Sequence, residues 1–325
     1  VMFERRRLAI AGAALVTAAA RPALAQDASA APLRIVVPYS AGGPTDVQAR
    51  VLAGHLERVL GRPVVVENRT GAGVLVGTEA VAKARPDGQT LLLTTVAHAV
   101  NPSLLPRLPY DTERDFAPVA LVATVPLVIL VRPDLPAPDG RAFLAWLRAQ
   151  RGRATYGSAG VGSAPHIGTA LLLMMANAQA EHVPYRGTAP AMTDLAAGRI
   201  DFYLDAVATG IAQAQGGSVR ALAVTSASRS GAAPEMPTLA EQGLPGYEAY
   251  TWSGIFAPAG TPPDTVARLN AAVREAVADP ALRRRFAEIG AELAAPAAPE
   301  ALGTFVRAEI AKWSQVVASS GMRAE

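Results

Sequence analysis

Apolar positions along this chain fall in short blocks that alternate between two periods. Leu33-Arg34-Ile35-Val36-Val37 is a β-rich run ended by Pro38. From Thr45 the spacing turns helical: Val47, Val51, His55 and Val59, with Leu52, Leu56 and Leu60, recur near i, i+4, so one face is predicted to be buried. Gly61 stops that helix. Val64-Val65-Val66-Glu67 predicts the next strand, residues 68–73 a turn, and a further helix runs through Ala84 to the break at Pro86-Asp87-Gly88. Leu91-Leu92-Leu93 is then a buried strand. Repeated β-α units with short loops imply a mostly parallel sheet covered on both faces.

Residues 102–118 are turn-rich and polar, and residues 119–131 read as extended despite Pro126. A second βα series follows. Its predicted strands are 154–156, 181–183, 201–204 and 221–224, and its helices lie near 141–150, 163–176, 189–197 and 207–214. Residues 226–246 read as loop apart from 238–242, and 249–257 as another extended segment. Thr261-Pro262-Pro263-Asp264 predicts a helix start with Thr261 as N-cap. Two α/β halves joined by two extended crossings predict a clam with a cleft, where pockets form at domain interfaces and beyond strand C-termini.

The N-terminus carries a different pattern. Arg5, Arg6 and Arg7 precede an uncharged apolar run over 8–20, and Ala23-Leu24-Ala25 is a small-x-small site before Gln26. This is the layout of a cleavable export signal, cut after Ala25, and it predicts a soluble, exported product. The formal charge of the 325-residue chain is +3. Residues 1–25 hold four Arg and one Glu, a net +3, so the remainder is neutral. No basic surface is left to suggest nucleic acid. The absence of cysteine excludes disulfides, thiolate metal ligands, a thiol nucleophile and an acylated-cysteine anchor.

Two loops have the composition of anion cradles. Tyr39, Ser40, Ala41, Gly42, Gly43 and Thr45 leave a strand and open a helix, whose free N–H groups suit a carboxylate or phosphate. Ser158, Gly160, Gly162, Ser163 and His166 do the same in the second half, with Ser163 as the expected N-cap. A plain turn and cap is the alternative for each. Enzyme motifs fail: Gly71-Ala72-Gly73 is followed by Gly77, off the dinucleotide spacing, and Gly157 to Gly160 is no nucleophile elbow. The four His residues are too scattered for a local zinc motif, so neither metal nor cofactor is expected. A serine hydrolase using Ser158 or Ser163 with His166 is the rival reading.

The chain resembles the receptors of tripartite tricarboxylate transporters, also called Bug receptors. The resemblance rests on an ordered set of segments: IVVPYSAGGPTDVQAR (35–50), VVVENRTGAG (64–73), ARPDGQTLLL (84–93), HAVNPSLLPRLPYDTERDFAPV (98–119), YGSAGVGSAPH (156–166), EHVPYRGTAPAMTDLAAGRIDF (181–202), RALAVTSASRS (220–230) and GIFAPAGTP (254–262). It implies a two-lobed type II periplasmic binding-protein fold. One lobe would be 26–122 with 253–325 and the other 123–252. It also implies a non-catalytic monomer binding a small carboxylate at the two loops, with Thr94, Thr95 and Asp205 lining the same cleft. The expected partner is a membrane permease, or a sensor protein. The chain departs from the family at Val74-Leu75 and at Ala206, which leaves the ligand's far end open.

Overall fold

The computed structural model describes residues 31–71 and 74–322. The export segment predicted over 1–25 lies outside the described residues. Strand β1 (Leu33–Val37) is the centre of a parallel trio, with β2 (Val64–Asn68) on one side and β3 (Thr90–Thr95) on the other. Helices α1 (Pro44–Leu60) and α2 (Leu75–Ala82) are its crossovers. Alternation along β1 serves both faces: Leu33, Ile35 and Val37 pack with Leu52 and Leu56 of α1, while Val36 joins Val81 and Leu92 in a different cluster.

A second parallel trio repeats this plan. There β5 (Thr155–Ser158) is central, flanked by β6 (Glu181–Pro184) and β7 (Phe202–Ala206). Its helices are α4 (Gly140–Gln150), α5 (Ala164–Ala176), α6 (Thr188–Ala196) and α7 (Val207–Gln215).

One strand belongs to both halves. β4 (Phe116–Val131) runs for 16 residues. From Phe116 to Pro126 it pairs with β9 (Tyr250–Pro258), which also pairs with β3. From Leu127 it pairs with β7, and from Val128 with β8 (Arg220–Val224). The short β10 (Glu292–Leu293) adds to it at Ala123 and Thr124. All these ladders are antiparallel, so among the named strands the parallel ladders are those of the trios, and parallel pairing is less general than predicted. The reason is connectivity: a chain that enters and leaves the second half through one waist must run both ways there. Pro118 sits at a register shift and Pro126 where β4 changes partners, positions that need no ladder N–H.

The waist is fastened by side chains. The Thr225 hydroxyl accepts from the Leu127 N–H at 3.1 Å and lies 2.5 Å from the Ala249 carbonyl, joining the two crossings. The C-terminal helices α8 (Pro263–Ala278), α9 (Pro280–Glu288) and α10 (Pro299–Ser320) return to the first half. On α10, buried Glu309 accepts from the indole N–H groups of Trp252 and Trp313, each at 2.9 Å. Lys312 of the same helix donates to the Glu248 carbonyl at 2.8 Å, beside the second crossing.

Two local predictions are corrected. Helix α3 (Ala97–Leu104) occupies sequence read as turn-rich from 102 onward, with Pro102 inside it. Pro102 cannot donate to the His98 carbonyl one turn back, and the Thr112 hydroxyl reaches that carbonyl at 3.4 Å instead. Thr261 is not the cap of α8: Pro262 holds that position, and the Thr261 hydroxyl donates to the Pro258 carbonyl at 2.7 Å.

Candidate functional site

The central strand of each trio runs into a loop that opens a helix, β1 into α1 and β5 into α5. The two loops have the same internal geometry. Gly42 and Gly162 both have φ +78°, a conformation glycine adopts without steric cost. The Gly43 N–H donates to Ser40 O at 3.2 Å, and the Ser163 N–H to Gly160 O at 3.1 Å. Each of these residues is an extended N-cap whose carbonyl accepts the first helical bond, from Val47 and Ile167, at 3.0 Å. The first-turn N–H groups of both helices have no acceptor within the helix and are the natural donors to an anion.

A side chain on each helix's first turn then reaches back to its loop. Asp46 Oδ2 accepts from the Gly42 N–H at 2.8 Å and from Arg50 Nε at 2.9 Å. Its Oδ1 accepts from Asn68 Nδ2 at 2.9 Å, and the same amide donates to the Tyr39 carbonyl at 3.0 Å. Burial opposes ionisation of Asp46, but Arg50, the Gly42 N–H and Asn68 together hold its carboxyl below the usual range. In the second loop His166 Nδ1 accepts from the Gly162 N–H at 3.1 Å. A neutral ring accepting at Nδ1 carries its proton on Nε2. Burial, aided by neighbouring His182, pulls His166 down to about 3, so it stays neutral.

His166 lies on the His182 ring, centroids 3.9 Å apart and planes 9° apart, and Tyr156 stacks on His182 at 4.9 Å. Tyr156 and His182 are direct cross-strand partners of β5 and β6. Ser158 Oγ lies 2.7 Å from His182 Nε2 and accepts from the Gly160 N–H at 3.1 Å. Ser163 caps α5 by position only, since its hydroxyl donates to Gly160 O at 2.6 Å.

The second loop, and Tyr39 at the start of the first, border a cleft of about 1400 Å³ between the halves. Of the sequence-predicted residues, Tyr39, Gly162, Ser163 and His166 line it. Ser40, Ala41 and Gly42 are solvent-exposed, Gly43, Thr45, Thr95 and Gly160 half-buried, and Thr94, Ser158 and Asp205 buried; none of these is part of the cavity wall. Tyr39 links two of the sets, its hydroxyl 2.5 Å from Thr95 Oγ1. Asp205 closes β7, accepts from Thr209 Oγ1 at 2.7 Å, and is raised above the usual carboxylate range by burial. Sequence reasoning missed Tyr156 and His182, whose only signal was their place in adjacent strands. It also missed Asn101 and Leu104 from α3, Leu105 just past its end, and Leu173 and Met174 from α5. No group of three His, Asp or Glu that could hold a metal occurs among the described residues, and no helix there is long and apolar enough to cross a membrane.

Two α/β lobes on a shared pair of crossing strands, with matched strand-to-helix loops and a cleft between the halves, define a two-lobed binding protein of the periplasmic type. The chain belongs to the tripartite tricarboxylate transporter family receptors, whose family model matches residues 48–322. It is similar to the solved periplasmic binding protein BugD, at 36% identity over 90% of this chain and 99% of that one, with a TM-score of 0.77. MatC from Rhodopseudomonas palustris, solved with bound malate, is 35% identical over 88% of this chain and 98% of its own, with a TM-score of 0.76. Rpa4515 of R. palustris, solved with adipate, is 34% identical over 90% and 98% respectively, with a TM-score of 0.79.

Proposed function

We propose that this protein is a non-catalytic periplasmic receptor that captures a small carboxylate between its two loops and presents it to a membrane permease. The carrying observation is the repeated loop geometry: two helix N-termini are each held by a side chain that reaches back to a glycine N–H, and Tyr39 of one loop shares a cleft wall with Gly162, Ser163 and His166 of the other. Tyr39, Ser40, Ala41, Gly42, Gly43 and Thr45 form one jaw, and Ser158, Gly160, Gly162, Ser163 and His166 the other. Thr94, Thr95 and Asp205 support the cleft from the strand ends. The malate and adipate in MatC and Rpa4515 are carboxylates and favour the same chemistry here.

The lobes are 26–122 with 253–325, and 123–252. They close by bending at the two crossings, as hinge proteins do. The change of partners along β4 falls between Pro126 and Leu127, a few residues past that lobe boundary, and supports a division in this part of the strand. Export follows cleavage after Ala25, and the monomer docks on the permease when closed.

The hydrolase alternative loses its geometry. His166 Nδ1 is taken by the Gly162 N–H, Ser163 Oγ donates to a carbonyl, and Ser158 is fully buried. A thermal-shift screen of organic acids on the processed chain tests the receptor reading. At about 100 times the dissociation constant a true ligand adds roughly 2.7 kcal/mol of stability. A flat response to every acid would sink the proposal.

A further inference from the structure

The cleft wall carries no charged side chain among the described residues. Its ionisable groups are two tyrosines and the two stacked histidines, and burial lowers both imidazoles, which keeps them neutral. A second carboxylate pushed past the loops would therefore meet no cation, and an unpaired charge taken out of water is costly. The wall is instead apolar along the length of α5. From the cap at Ser163 to Met174 that helix advances roughly 16 Å, at about 1.5 Å per residue. Leu173 and Met174 line the cleft there, together with Leu104 of α3 and Leu105 just past its end. Met174 is 42% exposed and Val161, beside the second loop, 41%, so the cleft presents large apolar surface to water. Covering such surface is favourable by about 25 cal/mol per Å².

We propose that the cleft selects a monocarboxylate with an extended apolar body, alkyl or aryl, in preference to a short dicarboxylate. This rests on the carboxylate-receptor reading above. The carboxylate sits at the two helix N-termini, and the apolar body lies along α5 against Leu104, Leu173 and Met174. The stacked faces of His166, His182 and Tyr156 add a neutral aromatic wall beside the carboxylate end.

Calorimetric titration with a length-matched pair, decanoate and sebacate, together with adipate, tests this on the processed chain. Decanoate is expected to bind about tenfold or more tightly than sebacate. Met174→Lys, at an exposed position that the fold tolerates, is expected to weaken decanoate and strengthen sebacate, with the circular dichroism spectrum unchanged. If sebacate or adipate binds as tightly as decanoate, the apolar selectivity is wrong while the carboxylate receptor stands. If none of the three acids binds, the apolar selectivity is wrong, and the carboxylate receptor falls with it only if the wider organic-acid screen is also flat.

Discussion

Asp46 and His166 perform the same task in the two halves of the molecule: each sits on the first turn of its helix and accepts the N–H of a glycine four residues back, at 2.8 and 3.1 Å. One acceptor is a carboxylate and the other a neutral imidazole, so the two loops share geometry without sharing charge. Asp46 also gathers Arg50 and Asn68, and through Asn68 the Tyr39 carbonyl. Asp46→Ala is expected to weaken ligand binding by about tenfold or more, since a hydrogen bond to a charged group contributes about 1.5–3 kcal/mol. Asp46→Asn, which keeps an acceptor, should lose less. Titration of both variants with the best acid from the screen checks the order.

Gly42 and Gly162 share φ +78°, but their surroundings differ. A Cβ at Gly162 would lie 2.6 Å from Leu104 Cδ2, across the cleft on α3, whereas a Cβ at Gly42 meets nothing within 4 Å. Both alanine variants carry left-handed backbone strain of roughly 1–2 kcal/mol. Only Gly162→Ala also wedges one lobe away from the other. It is expected to lose more affinity than Gly42→Ala in side-by-side titrations, and equal losses would contradict the role given to Leu104.

The Thr225 hydroxyl links the two crossings through Leu127 and Ala249. Thr225→Val keeps the shape and removes the bonds, leaving a buried N–H and a carbonyl with one partner fewer. Chemical denaturation should show a loss of about 1–3 kcal/mol. A variant as stable as the parent would mean that the backbone ladder alone holds the waist.

Acid should destabilise the fold before any carboxylate explanation is needed. Burial holds His98 at about 3, against 6.5 for an ordinary imidazole, and its ring is packed among Tyr110, Phe116 and Phe256. His166 is depressed alike. An unfolded chain takes up these protons near pH 6.5 and the folded one refuses them until about 3. Stability therefore falls as pH drops through that window, by roughly 1 kcal/mol per pH unit for each group. His98→Phe should flatten the decline in melting temperature between pH 6.5 and 4.

Glu309 accepts two indole N–H groups from different elements, Trp252 on β9 and Trp313 on its own helix. Glu309→Leu strands both donors in the core, at a cost of about 1–3 kcal/mol each. Glu309→Gln, which retains one carbonyl oxygen, should fall between it and the parent. Tryptophan-monitored unfolding reads the difference directly.

The strands and helices that build the cleft were legible where a single period dominates, as in β1 with α1 and in α5. The loops were legible because glycine and serine between a strand and a helix leave few structural options. α3 was not, because Pro102 advertises a break that a distant threonine makes tolerable. The antiparallel waist was hidden as well, since period alone does not give strand direction. Tyr156 and His182 escaped notice because their stacking depends on the register of β5 against β6 over 26 positions of sequence. The loop residues were expected to offer backbone donors, but the N–H groups at Gly42, Gly160 and Gly162 are spent inside the loops.

β4 gives the molecule a mechanical character that a flexible tether would not. At about 3.3 Å per residue its 16 residues make a continuous beam of roughly 50 Å, hydrogen-bonded to one lobe along one part and to the other beyond it. Besides β4 and β9, helix α10 packs on both α3 and α5, so the two trios are tied by continuous secondary structure rather than by a linker. An added residue at Pro126/Leu127 would give no slack. It would turn the side chains of the following segment to the opposite face. The relative placement of the two trios is thus written into strand register.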